Sequence, residues 1–224
     1  VLNVLLIRWL SPAQYGVFAI AFSILLFLSG FHNALVLEPM SVIGVSNYGG
    51  QLPSYFKITI YIHCLLSVGF LLVMGFVSGI MFLRNSILTT SFLGVAFSVP
   101  FILFFWLFRR ACYIETKPNL ALKGSFFYVI LLFAGIFLVK KQNLLSPFSA
   151  FIVMALASIV ASILFWPFLK LKVKDANSAG TLSISTVLSD HWHYGKWVVG
   201  SAFVSWLSSV SYVPIIGIFV GITQ

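Results

Sequence analysis

Six strongly apolar stretches of this chain run for 16 to 29 residues without Asp, Glu, Lys or Arg: 9–37, 58–83, 85–108, 124–139, 142–169 and 197–224. The hydrocarbon core of a bilayer takes about 20 consecutive apolar residues per helical span. The runs therefore predict an all-α fold, a polytopic transmembrane helix bundle. Composition agrees, because 8% of residues are charged against roughly 25% in a soluble domain. The longest polar connections, 38–57, 109–123 and 170–196, are too short for a catalytic domain. No G-x-x-x-x-G-K-[ST] is present, which excludes a P-loop ATPase in this chain.

Punctuation divides the bundle into about seven spanning helices, the first truncated. Helix 1 covers 1–10 and stops at Ser11-Pro12, because a residue before proline is pushed out of the helical region. By the same rule the second helix, about 14–37, stops at Glu38-Pro39. Further helices are expected at about 57–83, 86–108, 121–139, 147–169 and 196–221, with Pro147 in a first turn and Pro214 as a kink. Segment 181–195 carries Ile184, Val187, Leu188 and Trp192 at helical spacing, which predicts a short amphipathic helix in the membrane interface. The sequence begins at Val1 and ends inside an apolar run, so it reads as a fragment of a longer protein. The organisation expected is a transmembrane lobe over 1–170, a connection over 171–195, and the first helix of a second lobe over 196–224.

The net charge of +9 reads as the positive-inside bias, with anionic lipid headgroups as partner and no nucleic acid. One side of the layout carries Lys57, Arg109, Arg110, Lys117, Lys123, Lys170, Lys172, Lys174 and Lys196; the other carries Arg8, Arg84, Lys140 and Lys141. The richer side is expected in the cytoplasm, which puts the N-terminus there and the protein in the cytoplasmic membrane. Tyr15, Tyr55, Trp106, Trp166 and Trp197 fall at helix ends, as an interfacial aromatic belt requires. Small residues mark where helices pack closely: Gly16, Ser23 and Gly30; Gly75 and Gly79; Ala157 with Ala161 and Ser158 with Ser162; Gly217 and Gly221.

Polar groups inside a bilayer are costly and usually face a cavity or a partner. The candidates for substrate binding are Arg8, His32, Asn33 and Glu38. Arg8 either snorkels to lipid phosphate or grips a phosphate inside a cavity. His32 and Asn33 lie nearer midspan, and an interhelical hydrogen bond is the alternative to substrate contact there. His63 is a further intramembrane polar group, in helix 3. All four acids, Glu38, Glu115, Asp175 and Asp190, sit at helix ends or in loops, so a mid-membrane ion-coupling carboxylate is missing. His191 and His193 are two residues apart and point to different faces of a helix. Cys64 and Cys112 are 48 residues apart and read as free thiols. No catalytic constellation, metal site or cofactor site is expected, and the chain does not read as an enzyme.

The segment LIRWLSPAQYGVFAIAFSI resembles the junction of the first two helices in polysaccharide (O-antigen type) flippases of the multidrug/oligosaccharidyl-lipid/polysaccharide exporter superfamily. Leu10, Ser11, Pro12, Tyr15 and Gly16 match that pattern. ALVLEPMSVIG at 34–44 is similar to the end of helix 2 in members assigned to lipopolysaccharide biosynthesis, and YGKWVVGSAFVSWL at 194–207 resembles the lead into helix 7. The resemblance implies the first lobe of a two-lobe transporter. Its substrate would be a lipid-linked oligosaccharide, moved across the cytoplasmic membrane by alternating access, and Arg8 would be a cationic cavity residue. A drug/cation antiporter of the same superfamily, a membrane-embedded glycan polymerase and a structural membrane subunit are the alternative readings.

Overall fold

The computed structural model describes residues 2–175 and 182–219, with side chains over 2–165 and 182–216. Every regular element among the described residues is helical. In chain order these are α1 (Leu2–Trp9), α2 (Pro12–His32), a π-helical turn (Asn33–Leu37), α3 (Glu38–Tyr48), a 3-10 turn (Gly49–Gln51), α4 (Leu52–Leu83), α5 (Thr89–Ile114), α6 (Pro118–Lys141), α7 (Pro147–Asp175), α8 (Ile184–Ser209) and α9 (Tyr212–Phe219).

Four helical runs are long and apolar enough to cross a membrane: Pro12–Leu83, Thr89–Ile114, Pro118–Lys141 and Pro147–Phe165. The first is 72 residues long, and it doubles back on itself at Gly49–Gln51. Tyr48 stacks on Tyr55 at 4.8 Å across that turn, and His32 meets His63 farther up the hairpin. The chain is a membrane protein in which these legs pack side by side.

α5 is the central helix. Its most extensive interfaces are with α7 and α4. Phe92, Val95, Val99, Ile102 and Leu103 join Phe18 and Leu25 of α2 and Phe151 and Met154 of α7 in one apolar cluster. In lipid, burial of apolar surface does not drive helices together, so close fit has to. Glycine supplies that fit at α6 and α7. A Cβ at Gly135 would lie 2.6 Å from Val153, and one at Gly124 would meet the Phe165 ring. Ala157, Ala161, Ser158 and Ser162 are all buried on α7, as their spacing predicts. Gly75 and Gly79 differ from expectation, since nothing packs within 4 Å of either. They lie on the open face of α4 with Leu72, Phe76 and Leu83, which are exposed. Trp166 and Gly217 have no described side chain, and Gly221 lies outside the described residues.

Ends of helices follow local chemistry. Ser11 caps α2, accepting from the Gln14 amide while Gln14 Oε1 accepts from the Ser11 amide, both at 3.3 Å. Asn85, Thr116 and Asn143 adopt positive φ after α4, α5 and α6, the left-handed turn that ends a helix. At the opposite end of the bundle from Asn33, Lys140 Nζ sits 3.8 Å above the Trp9 ring and ties α6 to α1.

Four expectations about boundaries are corrected. The second helix does not stop at Glu38-Pro39; the helical path continues through a π turn into α3. The wider π pitch accommodates the proline, which begins α3 where its missing N–H costs little. Arg109, Arg110 and Cys112 belong to α5, not to a loop, because that helix runs to Ile114. The amphipathic segment is not a separate interfacial helix. It is the first half of α8, continuous to Ser209, with Val187 and His191 turned inward. The break then falls at Val210-Ser211, and Pro214 stands in the first turn of α9, not at a kink.

Candidate functional site: a basic cleft beside a π turn

The π turn organises the polar residues of the bundle. Pro39 has no N–H to give to the carbonyl four residues back, Leu35, or five back, Ala34. α8 packs against both carbonyls and gives a hydrogen bond to one. His191 Nδ1 lies 2.9 Å from the Leu35 oxygen. Gly195 lies against Ala34, close enough that a Cβ would sit 2.9 Å from its oxygen. A carbonyl only accepts, so His191 Nδ1 carries the proton and donates it. Nε2 is then the acceptor, and the Tyr55 hydroxyl donates to it across 2.7 Å. Next along α8, Asp190 accepts from the Tyr48 hydroxyl at 2.6 Å. Burial pushes the His191 ring below its usual value of 6.5. His191 and His193 do diverge: His191 is buried, while His193 faces a cleft with Asp190, Tyr194 and Trp197.

Below the π turn lies the charged cleft. Asn33 Nδ2 donates to Glu38 Oε1 at 2.8 Å, a pairing that spans the π turn. Arg110 Nη2 reaches Asn33 Oδ1 at 3.5 Å, a contact long enough to be weak. Asn33, Leu37, Trp106, Arg109, Arg110 and Tyr113 line a cavity of about 390 Å³. Asn33 and Glu38 also line a second cleft of about 400 Å³ between α2 and α8, with Ser201, Ser205 and Trp206. Asn33 thus borders both openings, and Glu38 holds it from the second. Arg109 Nε is buried and finds no acceptor among the described residues. A guanidinium N–H shut away from water without an acceptor is costly. An oxyanion in the cleft would satisfy it, and a guanidinium meets phosphate with paired hydrogen bonds.

The four residues singled out by sequence separate as follows. Asn33 and Glu38 come together at the cleft. His32 is fully buried and pairs with His63, Nε2 to Nδ1, at 3.0 Å. Arg8 is exposed near the start of α2, and α2 carries the chain 21 residues away from it, roughly 30 Å. Arg109 and Arg110 were missed because Lys and Arg near a predicted loop read as topology signals. The clue lay in the uninterrupted helical run FILFFWLFRRACYI, which has no breaker before Glu115. Among the described residues no group of three His, Cys, Asp or Glu is placed to hold a metal ion. Comparison of the chain with protein-family models, with curated proteins and with solved structures found no match.

Proposed function

We propose that this chain is part of a transporter that moves a lipid-linked oligosaccharide across the cytoplasmic membrane, gripping its phosphate-bearing head at the Arg109–Arg110 cleft. The observation that carries the reading is the buried, unsatisfied Arg109 Nε at the wall of a cavity that also offers the Arg110 guanidinium. Two guanidinium groups beside Trp106 and Leu37 suit an amphiphile with an anionic head and an apolar tail. The resemblance of the α1–α2 junction to polysaccharide flippases supports the same substrate class. The excess of Lys and Arg at this end of the bundle supports a cytoplasmic position for it, with the N-terminus on that side. Asn33, which lines both clefts and is held by Glu38 from the second, suits a gate between them.

Binding of a polyprenyl diphosphate to the chain in lipid nanodiscs tests this reading, with the uncharged polyprenol as control. The diphosphate should bind more tightly than the alcohol, and Arg109→Ala/Arg110→Ala should weaken it roughly tenfold or more, the scale of one lost charged hydrogen bond. Equal affinity for alcohol and diphosphate would remove the phosphate from the proposal. The same assay with Arg8→Ala decides whether the resemblance transfers a substrate contact to that residue. A second reading, export of a cationic amphiphile, draws on the half-buried Glu38 carboxylate. Tetraphenylphosphonium binding that Glu38→Gln abolishes and Arg110→Ala leaves intact would favour it.

A further inference from the structure

His32 and His63 face each other from the two legs of the α2–α4 hairpin, deep in the apolar bundle. They are 0% and 3% exposed, and His32 Nε2 lies 3.0 Å from His63 Nδ1. His63 Nε2 is 3.3 Å from the Ser67 hydroxyl. Phe104 of α5 stacks on the His63 ring at 5.3 Å. The fourth ring nitrogen, His32 Nδ1, is buried and has no partner among the described residues.

Proton counting shows what this arrangement does. Two neutral imidazoles carry two N–H groups between four nitrogens. If His32 donates to His63, then His63 donates to Ser67 and His32 Nδ1 is a bare lone pair. If His63 donates to His32, then Ser67 donates to His63 and His32 Nδ1–H points at nothing. Either way the pair is one hydrogen bond short. Adding a proton to either arrangement puts N–H on both outer nitrogens: His63 keeps acceptors in Ser67 and the Pro100 carbonyl, whereas His32 Nδ1–H, now part of a charged pair, has no acceptor among the described residues. An unpaired N–H on a buried charged group is costly. A change that brings His32 Nδ1 to water or to an acceptor therefore gives the protonated pair the one partner this conformation denies it.

The element able to make that change is adjacent. The π turn starts at Asn33, the next residue. Conversion of a π turn to α pitch shifts the register by one residue and rotates one side against the other by about 100°. Glu38 stands at the far end of the turn, held by Asn33. The other charged or titratable groups around it are Arg110 of α5, which reaches Asn33, Arg109 beside it on the cleft wall, and His191 of α8 on the Leu35 carbonyl. We propose that the His32–His63 pair is a proton-binding site, and that its loading is coupled to the pitch of the π turn, making the proton the coupling ion of the bundle. The step is one proton taken from water and one positive charge gained, with no other bond made. A ligand shifts a conformational equilibrium only by its difference in affinity for the two states, and a protonated pair whose His32 N–H is unpaired in one state and paired in the other has such a difference. The coupling of that proton to a substrate rests on the transport reading; the proton site does not.

The test uses the chain in nanodiscs with ¹⁵N-labelled histidine, titrated from about pH 8 to about pH 4.5. Four histidines are present, so His191→Asn/His193→Asn leaves only the pair in view. If His191→Asn fails to fold, His193→Asn with His63→Gln assigns the remaining signals by difference. The two rings should titrate together as one coupled pair, and amide exchange over 33–37 should rise about tenfold over the same range. Rings that stay neutral to the bottom of the range, or that titrate with unchanged exchange over 33–37, would overturn the proposal. In vesicles, an imposed proton gradient should change the movement of the lipid-linked substrate at least about tenfold, and His32→Asn should abolish that response. Coupled titration without any substrate movement would defeat the transport reading and leave the proton site standing. Substrate movement indifferent to the gradient would defeat the coupling.

Discussion

His191 holds α8 with both ring nitrogens, one on the Leu35 carbonyl and one on Tyr55. Removing the ring leaves a buried carbonyl and a buried hydroxyl unpaired, so His191→Ala should lower stability by about 2 kcal/mol, readable as a fall in thermal midpoint in detergent. The ring also sets a pH dependence. Its folded value is depressed below 6.5, so on acidification the unfolded chain takes up the proton first. The contribution is complete above about pH 6.5 and falls away below it. The midpoint should drop more steeply with acid in wild type than in His191→Gln, and parallel pH profiles would contradict the assignment. Gly195→Ala should also loosen α8, because its Cβ would press on the Ala34 oxygen, a backbone atom that cannot step aside. The expected cost is about 1–3 kcal/mol. Gly200→Ala is the matched control, with nothing within 4 Å of the added carbon.

Among the elements, the π turn is the one that local reading of the sequence could not supply. Proline after Glu38 was correctly read as incompatible with an unbroken α-helix, yet the outcome was a change of pitch, not an end. The difference lies in α8, which arrives from more than 150 residues away to satisfy the opened carbonyl. No local pattern near Pro39 contains that information. Long apolar runs, by contrast, were legible because lipid tolerates little else. The buried small residues of α7 were legible for the same reason. At the site, Asn33 and Glu38 could be singled out from cost alone, whereas Arg109 and Arg110 required knowing that α5 continues to Ile114. Pro39→Ala should restore an α turn and remove the opened carbonyl. The effects of Pro39→Ala and His191→Ala should then fail to add by about 1 kcal/mol or more in a double-mutant cycle of unfolding free energies. Simple additivity would separate the proline from the histidine.

For the molecule as a whole, one broad face is left open. α4 presents Leu65, Val68, Leu72, Phe76 and Leu83 outward, as a lipid-facing or partner-facing surface does. Cys64 lies on this face and is exposed, whereas Cys112 is buried in α5. A membrane-permeant maleimide should label Cys64 and spare Cys112 until the bundle is unfolded, as counted by intact-mass spectrometry. Equal labelling of both would contradict the packing of α5.

The 156-residue separation between Leu35 and His191 has a consequence for biogenesis. Translation at roughly 5–20 residues per second makes the first of these groups available about 8–31 seconds before the second. Throughout that interval the nascent hairpin holds an unsatisfied carbonyl beside a proline, in or near the bilayer. The insertion machinery, or water threading in from the basic end, has to serve it until the late helix is delivered. A ribosome stalled before Ile184 should therefore yield an intermediate with the first hairpin still open to protease, and one stalled after α8 should not.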